Sequence, residues 1–148
     1  MYSYSLDPDA IAYLTGGQDD KPLMGEVEFF QTPNGVLIKA HVSGLPAHST
    51  SGFFALHIHE GDSCSGADFA NTKGHFNPSG ANHPNHAGDL PPLLSSGGNA
   101  YLAVLTDRFS VKDVLGRTVV IHDGPDDFRS QPAGNAGTKI ACGVIVRP

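Results

Sequence analysis

Val36-Leu37-Ile38-Lys39-Ala40-His41-Val42-Ser43 alternates, with Val36, Ile38, Ala40 and Val42 on one face and Lys39, His41 and Ser43 on the other. Successive side chains of an extended chain point to opposite sides, so this octet reads as an antiparallel strand with one face buried. Glu26-Val27-Glu28-Phe29 alternates in the same way. So does Thr138–Val146, where Ile140, Cys142, Val144 and Val146 are set against Lys139 and Gly143. Ala10–Thr15, Phe53–His59, Ala100–Thr106 and Thr118–His122 are further strand candidates. Gly and Pro, 18 and 11 in number, punctuate the runs, and no long helical period appears. The expected architecture is all-β: an antiparallel Greek-key barrel or sandwich, immunoglobulin-like, with eight strands in a single domain over residues 1–148.

Composition narrows the function classes. A chain of 148 residues with 39% hydrophobic and 16% charged residues can build a core and does not read as disordered. No apolar run of about 18 residues marks a transmembrane helix. A net charge of -6 and the lack of a Lys/Arg cluster argue against a nucleic-acid partner. Met1 to Asp9 has neither a basic start nor an apolar core, so the chain as written reads as cytoplasmic. A mature form trimmed of its leader would read as periplasmic or secreted.

Two stretches, Glu60 to Gly88 and Asp123 to Gly137, are too rich in Gly, Pro, Asn and Asp for strands, and are long enough to suggest function. Six of the eight histidines cluster in or beside them with one aspartate, in a pattern that reads as two metal sites sharing a ligand. Alternation places Phe54, Leu56 and Ile58 on one face of Phe53–His59, and leaves His57 and His59 side by side, pointing outward, on the other. His122 ends the run Thr118-Val119-Val120-Ile121 on the same face as Thr118 and Val120, where it can join them. His83, His86 and Asp89 recur every three residues and, with His75, supply four ligands for a closed, structural, tetrahedral zinc. Imidazole-rich sets with an occasional carboxylate suit zinc and copper rather than magnesium or calcium. No Gly-x-Ser-x-Gly elbow and no Cys-x-x-Cys pair offers a protein nucleophile. His41 and His48 read as bystanders.

Five segments carry a resemblance. They are Leu56-His57-Ile58-His59-Glu60, Gly74-His75-Phe76-Asn77-Pro78, His86-Ala87-Gly88-Asp89-Leu90, Gly116-Arg117-Thr118-Val119-Val120-Ile121-His122 and Gly134-Asn135-Ala136-Gly137-Thr138-Lys139-Ile140-Ala141-Cys142-Gly143. In this order they resemble the copper–zinc superoxide dismutase family over most of the chain. The resemblance implies copper on His57, His59, His75 and His122, and zinc on His75, His83, His86 and Asp89, with His75 bridging the two as an imidazolate. It implies that Asp126 orients ligands of both metals, although Asp127 stands one residue away. It further implies a disulfide between Cys64 and Cys142.

The implied reaction converts two superoxide anions and two protons into oxygen and hydrogen peroxide, with copper cycling between Cu(II) and Cu(I) and His75 storing a proton. The family has arginine where this chain has Lys139. A flexible point charge positions an anion less well than a planar fork, so the expectation is an active enzyme of reduced turnover. Lys139 and Arg129 are the cations expected to attract superoxide against the global charge. The reading leaves open a monomer or a homodimer, and a copper donor as partner. The alternative is a copper- and zinc-binding protein of the same fold with little dismutase activity.

Overall fold

The computed structural model describes residues 7–47 and 51–148, and the bystander assigned to His48 lies outside the described residues. Among the described residues nine strand segments form: β1 Ala10–Gly16, β2 Met24–Thr32, β3 Gly35–Ser43, β4 Phe53–Phe54, β5 Leu56–His59, β6 Leu93–Leu94, β7 Ala100–Thr106, β8 Thr118–His122 and β9 Lys139–Val146. Seven lie in one antiparallel sheet of order β5-β8-β9-β1-β2-β3-β7, while β4 and β6 pair as a short ribbon. β4 leads directly into β5 and β6 lies against β7, so the ribbon spans the two ends of the curled sheet. The chain leaves the β1–β2–β3 meander for the far end, returns to β7 beside β3, then crosses again to β8 beside β5. This is Greek-key connectivity.

The expected count of eight strands treats Phe53–His59 as one run. It breaks at Ala55, whose amide donates to Gly124 O and whose carbonyl accepts from His122 N (2.9 Å each). The two-residue β6 is too short to show a period in the sequence.

Alternation in β3 holds: Val36, Ile38, Ala40 and Val42 are buried in the core with Leu14, Val27, Phe29, Leu56, Ile58 and Ile121. In β9 the expected face holds at Ile140, which lies in the core, and is inverted beyond it. Ala141 and Ile145 enter the core and Val146 is exposed. The cause is a bulge: Ile121 pairs with Ala141 but His122 pairs with Lys139, leaving Ile140 extra. An extra residue shifts the side-chain period by one. On the functional side, the shift sets Lys139 beside His122 instead of facing it away.

Candidate metal centre

Register explains the first three histidines. β5 and β8 pair with Leu56 opposite Ile121 and Ile58 opposite Val119, so these four turn inward. His57, opposite Val120, and His59, opposite Thr118, then share the other face with His122. The expectation that these rings point outward is correct relative to the core but not relative to water: His57, His59 and His122 are all buried. The loop between β5 and β6 covers them.

That loop docks by its backbone. β5 is an end strand, and Phe76 N donates to Ile58 O (2.8 Å) while Ile58 N donates to Gly88 O (2.9 Å). The resulting bridges set His75 opposite His59 and Asp89 opposite His57. Main-chain pairing with an open sheet edge thus delivers one ligand to each side of the centre.

Two groups of donor atoms converge: His57, His59, His75 and His122 in one, and His75, His83, His86 and Asp89 in the other, with all ligand atoms of a group within 4.8 Å of one another. Outer hydrogen bonds decide which nitrogen of each ring faces inward. His57 Nε2 donates to Asp126 Oδ2 and His83 Nε2 to Asp126 Oδ1, both at 2.8 Å. His59 Nδ1 donates to Lys73 O (2.8 Å) and His122 Nδ1 to Gly137 O (3.2 Å). A neutral imidazole has one donor and one acceptor nitrogen, so each inward nitrogen carries a lone pair.

His57, His59, His86 and His122 are held towards the neutral form. Burial pushes His59 down to about 2, despite the Lys73 carbonyl, and His122 down to about 3, with the neighbouring His57 adding to the effect. Burial lowers His57 and His86 as well, against the pull of Asp126 and Asp89 respectively. Burial alone would raise the Asp126 carboxyl; the hydrogen bonds from His57 and His83 and from the Phe128 amide outweigh it and hold the group well below the carboxylate range. Asp89 is lowered in the same way, burial being outweighed by His75.

These lone pairs find no donor among the described residues. His59 Nε2 and His122 Nε2 face each other at 3.2 Å, acceptor against acceptor. His57 Nδ1, His75 Nε2 and His83 Nδ1 are buried with no hydrogen-bond partner among the described residues. His83 Nδ1 lies 3.0 Å from Asp89 Oδ2 without hydrogen-bond alignment, and His75 Nδ1 lies 2.8 Å from Asp89 Oδ1 and 3.1 Å from His86 Nδ1. A tetrahedron with zinc bond lengths has edges of roughly 3.3–3.6 Å, near these spacings. Buried polar groups are normally satisfied, and acceptors crowded together call for a cation. The donor sets fit two metal ions sharing His75. His57, His83 and Asp126 also cluster, but there both Nε2 hydrogens already occupy the carboxylate.

Residues 23–145 match the family described as copper/zinc superoxide dismutase (SODC). The chain belongs to the copper/zinc superoxide dismutase family. Two relatives named superoxide dismutase [Cu-Zn] 2 and 1, from Aquifex aeolicus, are 40% and 42% identical, covering 97% and 98% of this chain and 90% and 93% of theirs. A SOD-like protein from Bacillus subtilis has a similar structure at 25% identity, with a TM-score of 0.74 and 96% of this chain and 99% of that one covered. The Cu/Zn superoxide dismutase of Brucella abortus, at 24% identity and a TM-score of 0.75 over 91% and 98% of the two chains, shares the fold.

Asp126 is the carboxylate between His57 and His83, whereas exposed Asp127 turns to Arg129 N, Ser130 N and Ser130 Oγ. Cys64 and Cys142 form a disulfide with Cα atoms 5.8 Å apart. Lys139 is less free than its sequence suggests: Nζ donates to Thr72 Oγ1 (2.7 Å) and Lys73 O (3.1 Å). Lys73 O also accepts from His59 Nδ1, so the cation and a ligand ring share one carbonyl. Arg129 is exposed in the turn that Asp127 caps.

Sequence reasoning missed Lys73 O and Gly137 O, since every residue has a carbonyl and nothing marks these two. It also missed Arg108 and Gln131, whose side chains bond the backbone of residues 83–86.

Proposed function

We propose that the protein disproportionates superoxide, converting two superoxide anions and two protons into one oxygen and one hydrogen peroxide. The observation that carries this is the convergence of four inward nitrogens: His57 Nδ1 and His75 Nε2 have no hydrogen-bond partner among the described residues, and His59 Nε2 and His122 Nε2 face each other as two acceptors. These atoms would hold copper, and His75 Nδ1, His83, His86 and Asp89 would hold zinc. Bound copper supplies one-electron exchange with superoxide, and zinc a redox-inert anchor.

The chain's own groups do the rest. Asp126 and the two carbonyls fix the tautomers, so the rings need no reorganisation to present lone pairs. His75 Nε2, buried on the ring that the two donor sets share, is placed to hold a proton after the first superoxide reacts and to give it up as the second becomes peroxide. Lys139 has one donor left after Thr72 and Lys73, and it presents that donor and a positive charge to the anion. A disulfide persists in an oxidising compartment, which favours a periplasmic or secreted protein over a cytoplasmic one. The metal-handling alternative is weaker, because a storage site has no use for a cation tethered beside His59.

The test is metal content per chain followed by superoxide consumption. We expect one copper and one zinc per chain, rapid consumption, and loss of copper with retention of zinc in His122→Ala. Fully loaded protein that consumes superoxide no faster than free copper would overturn the proposal.

A further inference from the structure

Residues 83–86 carry two of the four zinc-side ligands yet belong to no strand or helix. Beside Pro84 lies a cavity of about 430 Å³ lined also by Asp89, Arg108, Asp126 and Phe128, so on that side the segment lacks close packing. Hydrogen bonds from two distant parts of the chain hold it instead. Arg108, just after β7, donates Nη1–H bonds to Pro84 O (2.9 Å) and His86 O (3.1 Å). Gln131, in the loop after β8, accepts from His83 N at Oε1 (2.9 Å) and donates from Nε2 to His83 O (2.8 Å). Both polar groups of one ligand's backbone and the carbonyl of the other are thereby fixed.

We propose that Arg108 and Gln131 are positioning residues that set how tightly the His75, His83, His86 and Asp89 set holds zinc. The inference rests on the reading of that set as the zinc site. Neither side chain touches the donor atoms. They act on the main chain from which the rings hang, and a site held too loosely by its surroundings loses affinity even with every ligand present. Both bonds leave Nη1, so a lysine keeps enough donors for the two carbonyls but carries them on a more flexible stem.

The probe is zinc itself. Full-length protein, wild type and Arg108→Ala, Arg108→Lys, Gln131→Ala and Gln131→Glu, is loaded with zinc, and release to a chelating indicator is timed. Arg108→Ala and Gln131→Ala are expected to release zinc roughly tenfold faster, in line with losses typical of partners that orient metal ligands. Gln131→Glu keeps the acceptor for His83 N and should recover part of the loss, as should Arg108→Lys.

Copper retention at the other set, followed by its Cu(II) absorption, is expected to change less than twofold. General loosening would free both metals together, and that result would refute the assignment. Release within twofold of wild type in both alanine variants would overturn it too. If an alanine variant fails to fold, its conservative counterpart decides. Wild-type protein that binds no zinc would instead defeat the underlying metal assignment and this inference with it.

Discussion

Both oxygens of Asp126 are committed, one to His57 and one to His83. Asparagine offers one acceptor and one donor, so Asp126→Asn can satisfy only one ring and should force the other out of its tautomer. Chelator competition should show one of the two metals bound roughly 10–100-fold more weakly. Lys139 permits a second test. Arginine there would present more donors from the same anchorage, so Lys139→Arg should raise kcat/KM for superoxide a few-fold, and Lys139→Ala should lower it, with metal content equal; no change in either would refute its role toward the anion.

The buried rings also give the metal-free protein a pH dependence of definite sign. His57, His59 and His122 have folded pKa values below that of the unfolded chain, about 3 for His122 and about 2 for His59. The unfolded state therefore binds more protons below about pH 6.5, and stability falls from there towards the folded values. Asp89 and Asp126, also lowered, add in the same direction below about pH 4, since their contribution is present above the unfolded pKa and lost beneath it. Urea midpoints of chelator-treated protein should decline steadily from pH 7 to 4; a flat profile would contradict the burial.

At the level of elements, what could be read from the sequence depended on period. His57, His59 and His122 sit on alternating strands, so their common face followed from spacing, and the residue types alone drew His83, His86 and Asp89 together. The bulge at Ile140 was not legible, because it arises from the register between β8 and β9 rather than from either strand. The same holds for the break at Ala55, where two backbone bonds from the β8 side end the run. Gly134 is a loop position with a sharp consequence. Its φ is +69°, and a Cβ there would collide with Asp126 Oδ1 and His83 Nε2. Gly134→Ala should therefore weaken zinc binding and lower the unfolding midpoint, whereas substitution at Gly80, where the surroundings are open, should show only the cost of its own positive φ.

The molecule as a whole carries a net charge of -6, so an anionic substrate must be drawn by local cations alone. Local attraction is screened, and the rate of superoxide consumption is expected to slow as salt rises; insensitivity to ionic strength would contradict that. The disulfide closes a separation of 78 residues, which on the chain-entropy model stabilises by about 4–5 kcal/mol, and Cys64→Ser should cost stability of that order in thermal or urea unfolding.

The stretch that pairs with β5 has a double duty. It is also the seam cover of the barrel, and metal ions held by His75 and Asp89 would pin it down from beneath. Stripping them would leave that hem fastened by few backbone bonds, and a strand margin that lifts free is adhesive towards its own kind. Concentrated ion-depleted samples should scatter light on standing, and the haze should clear or never form once zinc is restored.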